Sequence, residues 1–353
     1  MVCLISPCCL GAQDVILIFV HFPEFGRRIV LLGERPSLLD IISAKQRIDP
    51  YITRTPLHHY LSLDNLLDAE IHIKHENHLR LGAFKMRGGI NLIAQLTEEE
   101  KKRGVISAST GNHGQSIAYA ATLFGVKSII GVPEGANPYK VESIRDLGGE
   151  VIFHGRDFDE ARQHVERLSK EEGYRYVHSA NEPMLLAGVA TATLEVFEDL
   201  PDLDVIIVPV GGGSSASAAA IVAHHLNPDV KVIGVQAERA KGAYLSWKSG
   251  HISESSMNTK AEGLATRVGF ELTMSIMRDL LYDFVLVSEE EINEAIIMSL
   301  EKTHNLTEHA GAASLAAAIK LSDVIKHKKV VLFNSGGNIT ATQLGSILAN
   351  KAN

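Results

Sequence analysis

Cysteine is nearly absent from the 353-residue chain. The three that occur, Cys3, Cys8 and Cys9, all lie within the first nine residues. The sequence after Cys9 therefore has no thiol for a disulfide, a thiolate nucleophile or a zinc cluster. This pattern is typical of a reducing compartment, and the predicted location is the cytoplasm.

Long apolar runs and an excess of basic residues are missing as well. The apolar stretch at residues 15–22 is shorter than the roughly 20 residues that span a bilayer, and it follows Asp14 rather than a basic segment, which argues against a secretory signal. Lys and Arg number 34 against 42 Asp and Glu, a formal net charge of −8. We therefore expect no membrane anchor and no nucleic-acid partner, and a small molecule or a protein surface as the partner.

What is present is typical of a globular protein. Hydrophobic residues make up 45% of the chain and charged residues 22%, which excludes intrinsic disorder of the chain as a whole and provides for a substantial core.

Residues 1–35 show no clear periodicity and are predicted to be a disordered N-terminal extension; an edge strand or an oligomer contact is the alternative. From Pro36 the pattern is regular, and Ser37 is predicted to cap a helix.

Short apolar runs rich in β-branched residues alternate with amphipathic segments. Strands are predicted over residues 71–74, 104–108, 128–132, 150–153, 205–210, 231–236, 284–287 and 329–333. Helices are predicted over residues 113–123, 158–170, 184–200, 289–303 and 311–320. Strands that are apolar almost throughout and are separated by helices indicate an α/β fold with parallel sheets covered on both faces. No Pro-rich linker is present, so we expect a small domain, residues 104–180, inserted into a large one formed by residues 36–103 and 181–353.

Polar and glycine-rich turns follow three of the predicted strands, where ligands bind in open α/β sheets. Residues 109–115, SerThrGlyAsnHisGlyGln, open a helix and can hold a carboxylate without Lys or Arg; an ordinary capped turn is the alternative. Residues 211–214, GlyGlyGlySer, allow backbone N–H groups to approach a phosphate. They match neither common nucleotide-binding glycine pattern, so another phosphorylated ligand is favoured. Residues 334–338 form the third turn, for which a capped glycine loop is the alternative.

Lys85 stands beside Phe84 among small residues. Such a lysine is either a solvated surface group or, when desolvated, an amine of lowered pKa that can form a Schiff base. Arg87 is expected either to pair with a carboxylate or to touch a ligand. An aldehyde cofactor with a phosphate group explains the lysine, the glycine turn and the polar strand ends together, and pyridoxal 5′-phosphate is that cofactor.

Four motifs in this order resemble the threonine/serine dehydratase (ammonia-lyase) and serine racemase family of fold-type II pyridoxal-phosphate enzymes. They lie at residues 76–88, 109–115, 211–213 and 335–338, within a similarity that runs from about Pro36 to the C-terminus. The resemblance implies two open, mostly parallel sheets covered by helices, as in the tryptophan synthase β subunit, and a homodimer.

The resemblance also implies a role for each site residue. Lys85 is implied to form the Schiff base and to remove the substrate Cα proton. The resemblance implies further cofactor contacts in each of the four motifs, at the residue after the third motif and at one acidic residue between the third and fourth motifs. They are Phe84, Asn112, Gly211, Gly212, Gly213, Ser214, Glu308 and Ser335. The implied contacts to the substrate carboxylate lie in the second motif: Ser109, Thr110, Gly111 and His113.

Three positions bear on the exact reaction. Thr110 is a second candidate catalytic residue, because racemases of the family carry a serine there that protonates the opposite face of the substrate. Glu238 matches a divalent-cation ligand of some relatives, but Tyr244 stands where an Asp is expected, so a cation site is left open.

The resemblance places Ser335 opposite the pyridine nitrogen of the cofactor, and a neutral hydroxyl does not favour the protonated ring as an Asp would. Elimination is then favoured over transamination.

The expected activity is therefore β-elimination from L-threonine or L-serine, giving a 2-oxo acid and ammonia. Serine racemisation is the first alternative, and dehydration of a rarer β-hydroxy amino acid is the second. A phosphate-ligand binding protein without turnover is a third, but simple phosphate binding needs no lysine beside an aromatic ring.

Overall fold

The structure is a computed structural model, and it describes residues 34–351. The predicted N-terminal extension lies almost wholly outside the described residues. The first helix begins as predicted: Ser37 accepts a hydrogen bond from the Asp40 backbone, and the Asp40 carboxylate accepts one from the Ser37 backbone N–H. This capping box satisfies backbone donors that would otherwise be unpaired.

The described residues form ten strands, and most of the longer ones consist mainly of apolar residues. Their bounds are β1 Leu57–His59, β2 Glu70–His75, β3 Val105–Ala108, β4 Ser128–Val132, β5 Glu150–Phe153, β6 Arg175–Tyr176, β7 Val205–Pro209, β8 Lys231–Ala237, β9 Asp283–Val287 and β10 Lys329–Asn334. One sheet has the order β1-β2-β10-β7-β8-β9 and the other the order β5-β4-β3-β6. The β1–β2 pair is antiparallel and the remaining pairs are parallel.

Fifteen α-helices occur in the same part of the chain. They are α1 Leu38–Ile48, α2 Leu61–Leu67, α3 Lys85–Ile93, α4 Glu98–Arg103, α5 Asn112–Leu123, α6 Pro138–Asp146, α7 Phe158–Glu172, α8 Pro183–Asp199, α9 Ser214–Leu226, α10 Gly242–Ser249, α11 Glu271–Leu280, α12 Glu289–Met298, α13 His309–Lys320, α14 Ser322–Ile325 and α15 Ala341–Lys351. No helix within residues 34–351 is long and apolar enough to cross a membrane.

The central strands are buried because helices cover both faces of each sheet. Every residue of β3, β4 and β7 is buried, as their largely apolar sequences predicted. Helix α3 packs against α5, which follows a strand of the smaller sheet, and against α8. The predicted fold class is confirmed. The four-stranded sheet lies within residues 104–180, while the domain boundaries themselves stay a prediction.

Two local features differ from the sequence-based expectation. The predicted helix over residues 289–303 ends as an α-helix at Met298 and continues as a π-helical turn, Ser299–Thr303, because periodicity alone does not distinguish the two. Strands β1 and β6 were not predicted, because they are short, lie at sheet edges and have no apolar run.

Candidate active site

Lys85 is the first residue of α3, and its side chain reaches the glycine-rich turn. Its Nζ donates hydrogen bonds to Ser214 Oγ at 2.8 Å and to the Ser179 carbonyl at 3.1 Å. The Phe84 ring centroid lies 5.1 Å from the same nitrogen. Burial lowers the pKa of Lys85 to about 8, because removal from water disfavours the ammonium form. The amine is therefore nucleophilic close to neutral pH.

The glycine-rich turn joins β7 to the N-terminus of α9. Gly213 occupies the N-cap position with φ +87°, and no side chain caps the helix. The first-turn N–H groups are therefore available to a ligand at the positive end of the helix dipole. Such a helix terminus binds a phosphate well.

Close packing also requires glycine in this turn. A Cβ on Gly211 would lie 2.1 Å from the Gly263 carbonyl oxygen. One on Gly213 would lie 2.6 Å from Met277 Cε, in a backbone region that other residues rarely adopt. Gly212 is less confined, with its nearest neighbours at 3.1 Å. Packing thus fixes the path of the turn without any ligand.

A second polar group centres on Glu308, directly before α13. Asn112 Nδ2 donates to Glu308 Oε1 at 2.8 Å, and Asn338 Nδ2 donates to Asn112 Oδ1 at 2.7 Å and to the Leu81 carbonyl at 2.9 Å. Burial raises the pKa of Glu308 to about 7, although Lys140 and Asn112 oppose the shift. This carboxyl group can therefore give or take a proton near neutral pH.

The end of β10 connects Lys85 with Glu308. Phe84 N–H donates to the Ser335 carbonyl at 3.1 Å, and Glu308 N–H donates to the Gly336 carbonyl at 3.0 Å. Ser335 is only 4% exposed. Its hydroxyl has no hydrogen-bond partner within residues 34–351, so it remains able to bond a ligand.

The turn between β3 and α5 holds the predicted carboxylate-binding residues. Ser109 Oγ accepts from Gly111 N–H at 3.2 Å, and Gly111 caps α5 without a side-chain bond. Ser109 and Thr110 are half-buried at the strand end. The turn thus presents hydroxyls and helix N–H groups at one place, which suits an anionic group.

The His113 imidazole points into the protein rather than into the turn. Its Nε2 lies 3.0 Å from Ser107 Oγ, whose hydroxyl donates to the Val177 carbonyl, so Nε2–H is the donor to Ser107. Burial lowers the pKa of His113 to about 3, and the ring is neutral. His113 can therefore serve a carboxylate in this turn through its backbone N–H.

A buried ion network lies behind Lys85. Arg87, 0% exposed, donates to Glu76 at 2.7 and 2.9 Å and to Glu195 at 2.8 Å through each of two nitrogens. Lys74 Nζ adds a bond of 2.6 Å to Glu195. Of the two alternatives for Arg87, the structure shows the carboxylate pairing. The network fixes the first turn of α3, which carries Lys85.

Glu238 lies apart from these groups. It is exposed at the end of β8, and the Tyr244 backbone N–H donates to Gln236 Oε1 at 3.0 Å. Within the described part of the chain, no group of three His, Cys, Asp or Glu side chains could hold a metal ion. The cation role of Glu238 stays a prediction.

Some contacts of the site were missed by sequence reasoning. The Ser179 carbonyl is a backbone group, which no side-chain pattern reveals. Asn338 belongs to the fourth motif, but its bond to Asn112 joins residues 226 apart. Glu195 lies within the largely apolar helix α8, and a carboxylate between apolar neighbours was the available signal.

Comparison with known proteins gives a uniform result. The L-threonine ammonia-lyase of Thermotoga maritima is 40% identical over 313 residues, 88% of this chain and 78% of that protein. The structure of the processed form of threonine deaminase isoform 2 from Solanum lycopersicum matches with a TM-score of 0.85 and 29% identity, covering 93% of this chain and 98% of that one. Maize serine racemase matches with a TM-score of 0.84 and 30% identity, covering 90% and 98%.

The resemblance inferred from the four motifs is thereby confirmed. The family model for pyridoxal-phosphate dependent enzymes matches residues 48–336, most of the chain. The matched range includes Lys85, the glycine-rich turn and Ser335. The chain belongs to the family of pyridoxal-phosphate dependent enzymes.

Proposed function

We propose that the protein is an ammonia-lyase that converts a β-hydroxy amino acid, L-threonine or L-serine first, to a 2-oxo acid and ammonia. One observation carries the proposal: the Lys85 amine, with its pKa lowered to about 8, lies 2.8 Å from Ser214 Oγ at an uncapped helix N-terminus. A reactive amine and an anion-binding turn are what an aldehyde phosphate requires. The 40% identity to an L-threonine ammonia-lyase supports the choice of reaction.

The residues present fit pyridoxal 5′-phosphate. Lys85 is the amine for its aldehyde carbon, and Ser335, a largely buried residue, offers a hydroxyl without a partner in the described chain for its ring nitrogen. When bound, the cofactor supplies an electron sink for the electron pair left on the substrate Cα. The phosphate would be held by the turn of Gly211, Gly212, Gly213 and Ser214. Phe84, Asn112 and Glu308 would contact the ring.

The substrate carboxylate would bind at the N-terminus of α5. Ser109 and Thr110 offer hydroxyls there, and Gly111 and His113 offer backbone N–H groups. The helix dipole favours an anion at this end without any Arg or Lys. Anchoring the carboxylate orients the Cα–H bond, which lowers the entropic part of the barrier.

Elimination needs a base at Cα and an acid at the β-oxygen. Lys85 Nζ, neutral above about pH 8, would accept the Cα proton. Glu308, with a pKa near 7, is one nearby acid for the departing hydroxyl, and the cofactor phosphate is the other candidate. Loss of water leaves an enamine, and its hydrolysis returns one water and releases ammonia, so L-threonine gives 2-oxobutanoate.

Ser335 favours this outcome over amino-group transfer. Its hydroxyl is uncharged, so it does not hold the ring nitrogen in the protonated form as a carboxylate would. The electron sink is correspondingly weaker, and a long-lived carbanion is less stabilised. Rapid departure of the β-hydroxyl is then preferred.

Serine racemisation is the second candidate function. Thr110 carries a hydroxyl in the carboxylate-binding turn, and maize serine racemase is 30% identical to this chain. A hydroxyl there could donate a proton to the face of Cα opposite Lys85. Dehydration of a rarer β-hydroxy amino acid uses the same groups.

We also propose a cytoplasmic homodimer and leave Glu238 as the candidate ligand of a divalent cation. The location rests on the absence of cysteine after Cys9, and the dimer rests on the family resemblance. Sedimentation velocity tests the dimer. Activity with and without a chelator tests the cation, and Glu238→Gln serves as the matched variant.

The test of function is release of 2-oxo acid and ammonia from L-threonine, L-serine and D-serine, with the chirality of residual serine measured in the same samples. Release of 2-oxobutanoate from L-threonine supports the lyase. Accumulation of D-serine from L-serine supports racemisation through Thr110. Absence of turnover with bound cofactor would contradict both and would leave the rarer substrate or the non-catalytic binder.

A further inference from the structure

The turn that follows β6, residues 178–181, contacts both Lys85 and the glycine-rich turn. We call these four residues the β6 turn. The Ser179 carbonyl accepts a hydrogen bond of 3.1 Å from Lys85 Nζ. A Cβ on Gly212 would lie 3.1 Å from Ala180 Cβ, so the two turns pack directly against each other. The path of the β6 turn therefore bears on both the amine and the anion-binding turn of the site.

The His178 side chain folds back onto the backbone of the β6 turn. Its Nδ1 accepts hydrogen bonds from the backbone N–H groups of Ala180 at 3.0 Å and Asn181 at 2.9 Å. One ring atom thus satisfies two consecutive backbone donors. Burial lowers the pKa of His178 to about 4, so the ring is neutral near pH 7. Because Nδ1 is the acceptor, the proton of the neutral ring is on Nε2.

The peptide group between Ser179 and Ala180 links His178 to Lys85. The Ser179 carbonyl and the Ala180 N–H belong to this one peptide group, which is planar and rigid, so they point in opposite directions. His178 Nδ1 bonds the N–H side, and Lys85 Nζ bonds the carbonyl side. The bond to His178 therefore sets the direction of the carbonyl that holds the Lys85 amine.

The β6 turn is also tied to the glycine-rich turn through the start of α11. Asn181 Oδ1 accepts from the Leu272 backbone N–H at 3.2 Å, and Thr273 Oγ1 donates to the Gly212 carbonyl at 2.7 Å. The Lys85 amine bonds to both turns. These contacts form a closed ring, which limits the position of the amine relative to the N-terminus of α9.

We propose that His178 is a positioning residue for cofactor binding, which orients the Ser179–Ala180 peptide through Nδ1 and thereby directs the Lys85 amine toward the glycine-rich turn. The inference rests on the proposed role of Lys85 in binding pyridoxal 5′-phosphate. An amine held in this direction reacts faster with an aldehyde whose phosphate lies at the turn, because less orientational freedom is lost in the reaction. His178 acts through the backbone and not as an acid or a base.

The test is the rate of pyridoxal phosphate uptake by the full chain after removal of its cofactor, measured at about pH 9, where Lys85 is largely neutral. His178→Asn places its amide oxygen where Nδ1 lies, because both atoms are two bonds from Cβ. His178→Gln places its amide one bond further out, and His178→Leu has no acceptor. We expect Asn to keep the rate within about twofold, and Gln and Leu to lower it about tenfold. His224→Leu, at an exposed position of α9, is the control and should take up the cofactor normally.

A role in packing alone predicts the opposite order, because Gln is closer to His in size than Asn is. Equal rates for His178→Asn and His178→Gln, or a faster rate for His178→Gln, would therefore overturn the proposal. If His178→Leu unfolds, as a melting curve shows, the comparison of Asn with Gln decides. Uptake by the wild-type protein on a lysine other than Lys85 would overturn the proposed function and this inference with it. Normal uptake on Lys85 with no difference among the His178 variants would overturn the positioning role alone.

Discussion

Lys85 Nζ donates a 2.8 Å hydrogen bond to Ser214 Oγ, joining residues 129 apart in sequence. Each residue begins a helix, Lys85 that of α3 and Ser214 that of α9. The contact therefore places an amine of lowered pKa directly at an uncapped helix N-terminus. The proposed reaction depends on this pairing, because the amine and the anion-binding turn must hold the two ends of one cofactor.

The lowered pKa of Lys85 predicts the pH dependence of cofactor uptake. Only the neutral amine attacks an aldehyde, so the uptake rate of the cofactor-free protein should rise with pH and level off above about 8. A lysine at its ordinary pKa of 10.5 would give a rate that still rises at pH 10. Stopped-flow absorbance with pyridoxal phosphate distinguishes the two curves.

Gly213→Ala should reduce both stability and cofactor affinity. The residue has φ +87° and its Cβ would lie 2.6 Å from Met277 Cε, so we expect a loss of about 1–3 kcal/mol in the free energy of unfolding. A shifted turn should also weaken cofactor binding about tenfold. Gly125→Ala is the control, because φ is +66° there but the space is open. It should cost about 1 kcal/mol and leave cofactor affinity unchanged, as equilibrium dialysis would show.

Arg87→Ala should be among the most destabilising single substitutions in α3. It would leave the Glu76 and Glu195 carboxylates buried with their main partner removed, at a cost of about 3–5 kcal/mol. Arg54→Ala removes an exposed arginine that pairs with Glu198 and Asp199, and should cost less than about 1 kcal/mol. Urea unfolding compares the two. Similar losses for both would contradict the structural role assigned to the buried network.

Glu308 should make stability fall as pH rises through the acid range. The pKa of Glu308 is about 7 in the folded protein and 4.5 ordinarily. Between these two pH values the unfolded state has lost this proton while the folded state keeps it, so the free energy of unfolding falls as pH rises. Glu308→Gln removes this contribution. The stability of wild type relative to the variant should therefore drop by about 1–2 kcal/mol between pH 5 and pH 8 in the cofactor-free protein. A difference that does not change with pH would contradict a raised pKa.

Much of the fold could be predicted because its parallel strands are buried on both faces. An apolar run such as β7, all five residues of which are buried, is visible in sequence without knowledge of its neighbours. The three-residue edge strand β1 has no such run and pairs only at one side. Its position is decided by β2 rather than by its own residues.

Part of the candidate site could also be predicted, because some of its residues have a signal in their local sequence. Lys85 and the glycine-rich turn have local signals, an amine beside an aromatic ring and consecutive glycines. The pairings of Glu308 with Asn112 and of Arg87 with Glu195 have no local signal, because they join residues 196 and 108 apart. Such contacts depend on how the helices pack against one another, and the periodicity within one segment does not encode that packing.

The central claim is that Lys85 carries the cofactor. The most direct measurement is borohydride reduction of the purified holoenzyme, followed by proteolysis and mass spectrometry of the lysine that retains the phosphopyridoxyl group. We expect the group on the peptide that contains Lys85, and no label on this peptide in Lys85→Ala. Label on another lysine, or a fully active Lys85→Ala protein, would contradict the assignment of the site.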